Sequence, residues 1–201
     1  MSTITKDIQE SISPDIAIEM LKEGNKRFLD KNEKDRDLHL QVNETSGGQF
    51  PYAVVLSCID SRVPVELVFD QGVGDIFSAR VAGNIINEDI LGSMEYACGV
   101  AGSKAVLVLG HTKCGAVTSA CKGVELGNIT ALLSKIKPAV AKVQERDGDV
   151  EVEEVTKANV SQSIKEIREN SEILADLENE GKIKIVGAVY RVEDGRVLFL
   201  S

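Results

Sequence analysis

Lys104-Ala105-Val106-Leu107-Val108-Leu109-Gly110 is the stretch that decides the fold. It is apolar at consecutive positions, not alternate ones. That is the pattern of a strand buried on both faces, and such strands belong to parallel sheets. Ala53 to Cys58 (AVVLSC) has the same character, and Asp75 to Arg80 (DIFSAR) is a further candidate strand.

Helical patterns separate these runs. Ser13-Pro14 reads as an N-cap followed by proline at the first helical position, and Ala17, Met20, Leu21 and Phe28 follow at helical spacing. Residues 30–50 are charged, then glycine-containing, and read as a connecting segment. Glu88 to Val100 reads as helix, and another helix starts near Cys114. A long one runs from about Val152 to Asn179 with the stripe Val160, Ile164, Ile167, Ser171, Leu174 and Leu177, stopped by Gly181. Lys182 to Tyr190 is a strand, Asp194-Gly195 a hairpin signal, and Val197 to Leu200 a short last strand. Strands alternating with helices predict an α/β fold: a single domain, a mainly parallel central β-sheet with helices on both faces, an N-terminal helical arm and a C-terminal β-hairpin.

The 201 residues suffice for one domain with a substantial core, and the 4% aromatic content with no Trp makes that core aliphatic. The formal net charge of −9 argues against binding nucleic acid or an anionic membrane through bulk electrostatics. No apolar run approaches the roughly 20 residues of a membrane span. Met1 to Glu10 lacks the apolar segment of a secretory signal, so a cytoplasmic location is the expectation. Cysteines 58, 98, 114 and 121 are too few for a disulfide scaffold and suit metal binding, catalysis or packing.

Sites in parallel sheets gather at the carboxyl ends of strands. Two motifs fall there. Cys58-Ile59-Asp60-Ser61-Arg62 ends one apolar run, and His111-Thr112-Lys113-Cys114-Gly115 ends another. Two cysteines and one histidine make a three-ligand zinc site, and a fourth position open to water distinguishes a catalytic zinc from a structural one. An extended course places Cys58 and Asp60 on one side, with Arg62 able to pair with Asp60. Two other readings stand beside this one. In the first, Cys58 and Cys114 are core cysteines and His111 is a satisfied polar residue. In the second, zinc is sealed by four protein ligands. Cys121 lies about 10.5 Å along a helix from Cys114, too far for one ion, and Cys98 has no motif around it. His39 sits in the polar connecting segment. Elimination leaves water or Asp60 at the fourth position.

These residues resemble the β-class carbonic anhydrases. The likeness covers most of the chain: Leu21 to Phe28, the C-x-D-S-R motif at 58–62, Arg80-Val81-Ala82-Gly83-Asn84, Glu95-Tyr96-Ala97, Gly110 to Ala116, and the Glu193-Asp194-Gly195 hairpin. The resemblance implies one β-carbonic-anhydrase-like domain over residues 1–201, with a helical arm at 1–35 and a zinc-binding core at 50–201. It implies one zinc per subunit on Cys58, His111 and Cys114, and an Asp60–Arg62 gating pair. It implies Asp60 as a fourth ligand only in a closed state. It further implies that Gln49, Phe77, Ala82, Tyr96 and Gly115 bind substrate, with Gln49, Phe77 and Tyr96 serving a partner's zinc in a homodimer, homotetramer or larger homo-oligomer.

The implied reaction is reversible hydration of carbon dioxide to bicarbonate and a proton by attack of zinc-bound hydroxide, with activity rising through mildly alkaline pH because two thiolates weaken zinc's acidifying effect. Val55 stands where members with an inhibitory bicarbonate site carry Trp, so the resemblance implies an open site without that switch. The alternatives are a carbonyl sulfide or carbon disulfide hydrolase of the same superfamily and, third, a non-enzymatic zinc-stabilised interaction protein.

Overall fold

A computed structural model describes residues 3–200; Met1, Ser2 and Ser201, inside the expected domain limits, lie outside the described residues. The chain begins with helices α1 (Lys6–Ser11), α2 (Pro14–Leu29) and α3 (Leu38–Thr45). Strand β1 (Ala53–Ser57), the short helix α4 (Val65–Val68) and strand β2 (Ile76–Arg80) follow. A single turn at Ala82–Asn84 leads to α5 (Glu88–Glu95), which widens into a π-helical turn over Tyr96–Val100. Then come β3 (Ala105–His111), α6 (Gly115–Cys121), α7 (Gly127–Ser134), α8 (Lys137–Asp147), α9 (Val152–Asn170), α10 (Glu172–Asn179), β4 (Lys184–Tyr190) and β5 (Val197–Phe199).

The sheet order is β2-β1-β3-β4-β5. Strands β1 to β4 are parallel, and β5 closes the sheet antiparallel to β4. All five residues of β1 and all seven of β3 are buried, as the unbroken apolar runs require. Alternate side chains feed opposite layers. Val55, Leu107 and Leu109 pack with Ala17 and Leu21 of α2 and Val65 and Val68 of α4. Val54, Leu56, Val106 and Val108 pack with Met94 of α5, Val160 and Ile167 of α9 and Leu174 of α10. Each such side chain removed from water contributes about 1.5–3 kcal/mol. Among the described residues no helix is long and apolar enough to cross a membrane.

Three local expectations need correction. The segment 30–50 is not wholly a connection, because Asp37 caps α3 by accepting from the Leu40 amide at 2.9 Å. The helix expected over 152–179 is broken at Ser171, whose extended backbone lets its hydroxyl accept from the Leu174 amide and donate to Glu95 at 2.6 Å. The apolar stripe runs through the break because Ile167 and Leu174 enter the same layer. The hairpin connection is also wider than an Asp-Gly pair. It runs from Arg191 to Arg196, with the Gly195 amide donating to Arg191 O and the Arg191 amide to Arg196 O, both at 2.8 Å.

Residues 122–151, to which no element was assigned from sequence, form α7 and α8. Leu133, Ile136, Ala139 and Val143 from these helices join Cys58, Cys114 and Val117 in a third apolar cluster. This cluster walls the carboxyl edge of the sheet where both motifs emerge.

Candidate metal centre

Parallel register brings the two motifs together. Ser57 pairs with Leu109 in adjacent strands, so Cys58, the next residue on, arrives level with the end of β3, where His111 sits. Arg80 at the end of β2 donates to Cys58 O at 2.9 and 3.0 Å and to Asp60 O at 2.7 Å, pinning the segment that leaves β1. The extended course expected through Arg62 ends at Asp60, and the chain turns there, with the Val63 amide on Asp60 O. The turn, and not strand alternation, makes the Asp60–Arg62 pair. Arg62 donates to the two carboxylate oxygens at 2.9 Å from Nε and 2.7 Å from Nη2, and its own amide adds a third bond at 2.9 Å.

His111 is fully buried. Its Nδ1 lies 2.9 Å from Thr112 O, an oxygen that can only accept, so Nδ1 carries the proton and Nε2 is bare. That Nε2 is buried without a hydrogen-bond partner. The donor atoms of Cys58, His111 and Cys114 all lie within 4.8 Å of one another. Asp60 Oδ2 is 3.9 Å from His111 Nε2. Cys114 is placed by Lys113, which takes the left-handed region at φ +54° so that the chain can turn from β3 into α6.

Electrostatics suit the same arrangement. The Cys58 thiol is held well below its usual range because Cys114 hydrogen-bonds to it, an effect that outweighs burial; the Gly83 amide, 3.3 Å from Sγ, acts in the same direction. Cys114 is pushed up by sharing that bond and by burial, with the amides of Val117 and Ala116 opposing. Asp60 is held down at about 2, chiefly by the Arg62 hydrogen bond. An unpartnered imidazole nitrogen facing two sulfurs, one already favoured as thiolate, fits a borderline-soft divalent ion such as zinc.

The remaining candidates fall in several places. Gly115 directly follows Cys114 and opens α6, and Ala82 precedes Gly83. Phe77 and Tyr96 meet edge-to-face, ring centroids 6.2 Å apart, in a groove between β2 and α5 that none of Cys58, His111 and Cys114 lines. Gln49 is exposed before the amino end of β1, the opposite end from Cys58. His39 is exposed on α3. Cys98 is buried in the sheet-facing layer, where burial pushes its thiol up to about 12. Cys121 packs against the third cluster, and neither joins the metal-binding group. Among the described residues that group has three members, which is not the four-ligand seal.

Sequence reasoning missed Gly83, Asn84 and Lys113. Gly83 and Asn84 hold φ +70° and +43°, and a Gly-Asn pair just past a strand is a signal for such a left-handed turn. Lys113 carries no such signal, because a lysine is not a residue type that favours positive φ; the tight turn between His111 and Cys114 requires it.

Comparison with known proteins follows the same lines. A family model described as carbonic anhydrase matches residues 53–197. A Mycobacterium tuberculosis protein named carbonic anhydrase 2 is 35% identical over 196 residues, covering 92% of each chain. A Mycolicibacterium smegmatis protein named carbonic anhydrase is 33% identical over 192 residues, also covering 92% of each. Among solved structures, the β-carbonic anhydrase CcaA superposes with a TM-score of 0.75 at 27% identity, over 92% of this chain and 86% of that one. A tetrameric β-carbonic anhydrase from Sordaria macrospora shares the fold with a TM-score of 0.73 at 22% identity, over 81% of this chain and 90% of that one.

Proposed function

This chain belongs to the carbonic anhydrase family, and from that premise we propose that it hydrates carbon dioxide reversibly to bicarbonate and a proton, using one zinc ion held by Cys58, His111 and Cys114. The observation that carries the reading is the buried, unpartnered His111 Nε2 facing two cysteine sulfurs, with an ionised Asp60 retained beside it by Arg62. When bound, zinc supplies Lewis acidity that makes a nucleophile available from water near neutral pH.

The chain's own residues do the rest. Thr112 O fixes the tautomer and tilt of the His111 ring. Arg62 keeps Asp60 charged and drawn away from the cradle, so that its carboxylate acts as a hydrogen-bond acceptor for the proton of the attacking water oxygen and not as a fourth ligand. Gly115 offers a backbone N–H to a substrate oxygen, and Ala82 lines the approach. Phe77 and Tyr96 supply an apolar wall suited to carbon dioxide, and Gln49 donates to substrate oxygen. These last three lie away from their own chain's ligands, which supports their serving the zinc of a second copy in a homodimer or tetramer. The protein thus acts on carbon dioxide in the cytoplasm as a single domain, with a helical arm at 1–35 and a catalytic core at 50–201.

Zinc content and stopped-flow hydration of the wild type, Cys58→Ala and Asp60→Asn test this. The expected result is one zinc per chain and rapid hydration in the wild type, no retained zinc in Cys58→Ala, and retained zinc with depressed turnover in Asp60→Asn. Full activity in Cys58→Ala rejects the ligand set. Sulfide release from carbonyl sulfide or carbon disulfide, without carbon dioxide hydration, rejects the substrate.

A further inference from the structure

Helix α9 lies behind the metal cradle and contributes no ligand to it. It nevertheless packs against β3, which ends in His111, and against the Ala82–Asn84 turn beside Cys58. A side chain on Gly110, the residue before His111, would meet Val160 Cγ2 at 2.7 Å and Thr156 Cγ2 at 3.1 Å, so α9 sits directly against the end of β3. On the same face, Asn159 Nδ2 donates to Gly83 O at 2.8 Å and Ser163 Oγ donates to Asn84 O at 3.0 Å. Both side chains are 2% exposed. Spacing by four residues puts them one turn apart on the helix.

Gly83 is also the residue whose amide approaches Cys58 Sγ at 3.3 Å. Glycine is the most permissive residue about its two backbone bonds. A side chain is disfavoured here, since φ is +70° and a Cβ would stand 2.7 Å from Ile136 Cδ1, which would have to move. The aim of the Gly83 amide is therefore not set by its own conformational preference. It is set by anchoring the chain on the far side of those bonds: the Asn84 amide donates to Val81 O at 3.0 Å, and Asn159 and Ser163 hold the Gly83 and Asn84 carbonyls.

We propose that Asn159 is a positioning residue for the metal centre: by holding the Gly83 carbonyl, it keeps the Gly83 N–H on the Cys58 sulfur and so fixes how that sulfur is presented to a metal. This rests on the reading of Cys58, His111 and Cys114 as a zinc cradle. Partners outside a metal's ligand set orient the ligands and tune their donor strength, and losing one typically weakens metal binding by about 10–100-fold.

The test uses the full-length zinc protein and its cobalt-substituted form. Zinc transfer to a chromogenic chelator and the thiolate-to-cobalt charge-transfer band are measured for wild type, Asn159→Asp and Ile167→Ala. Asn159→Asp keeps the shape and removes the donor. Ile167→Ala destabilises the same helix from a fully buried position away from Gly83. The expected result is zinc release faster by about 10–100-fold and a displaced charge-transfer band in Asn159→Asp, with both readouts unchanged in Ile167→Ala despite its lower unfolding temperature. Asn159→Ala carries the same expectation and is read in its place should the carboxylate prevent folding. Unchanged release and band in the Asn159 variants, or equal changes in Ile167→Ala, overturn the proposal. A wild type that retains no metal overturns instead the cradle on which it rests.

Discussion

Asp60 Oδ2 and His111 Nε2 approach to 3.9 Å although they leave different strands, and neither atom bonds to the other. Arg62 takes up both oxygens of Asp60 and also donates to Lys113 O at 3.3 Å, inside the loop between His111 and Cys114. Both carboxylate oxygens of Asp60 are thus committed to Arg62 while one of them stands beside the His111 nitrogen.

Removing that restraint has a direct consequence. Arg62→Ala is expected to keep its zinc but lose hydration rate by about 10²-fold or more, the lower end of what a positioned proton acceptor contributes. Stopped-flow hydration alongside metal analysis reads both. A rate within a factor of two of wild type shows that Arg62 does not govern Asp60.

A second carboxylate, Asp70, stands away from the three candidate metal-binding residues and pairs with two arginines. It is buried, and burial pushes its carboxyl up, but hydrogen bonds from Arg36 and Arg27 and the Lys34 amide outweigh this and leave it below its ordinary value of 3.8. A carboxyl lowered in the folded state stabilises fully above its unfolded value and loses that contribution as pH falls through the folded value. Stability is therefore expected to drop below about pH 4. Asp70→Ala is expected to cost about 3 kcal/mol at neutral pH by leaving two arginines unpaired and to flatten that acid limb. Urea unfolding at pH 7 and pH 3.5 decides it, and parallel losses in both proteins refute the assignment.

Packing of α9 on the sheet depends on Gly110. Gly110→Ala places a methyl within 2.7 Å of Val160 Cγ2 and 3.1 Å of Thr156 Cγ2, an overpacking expected to cost about 1–3 kcal/mol. Val160→Ala removes the nearer methyl. The double variant should therefore lose less stability than the two single losses added together. Strict additivity in chemical denaturation would mean the contact is relieved elsewhere.

The division of pocket residues between copies is tested by mixing two crippled proteins. Cys58→Ser lacks a metal ligand and Gln49→Ala lacks a substrate contact. If Gln49 serves a partner's zinc, refolding the two together creates sites with an intact ligand set facing an intact Gln49. Activity in the mixture should then exceed that of either parent. No gain places Gln49 at its own chain's zinc or at none.

Legibility followed the range of the interactions. The strands at 53–57 and 105–111 were visible because burial on both faces demands unbroken apolar runs, and α2 because Ser13 and Pro14 mark its start chemically. Helices α7 and α8 start without a capping side chain to mark them, and the break at Ser171 is hidden within one apolar stripe because it serves a hydrogen bond to Glu95, 76 residues away in the chain.

At the site the same division holds. Sequence by itself brought Cys58, His111 and Cys114 forward as one candidate donor group, since these two thiols and one imidazole follow strand ends, and it paired Asp60 with Arg62. Tertiary structure alone decided that Arg62 reaches Asp60 through a turn, that Lys113 adopts left-handed backbone, and that Asn159 and Ser163 brace the turn beside Cys58. The physical reason is that residue type carries donor chemistry wherever it stands. The aim of a peptide group depends on partners that only folding brings within hydrogen-bond distance.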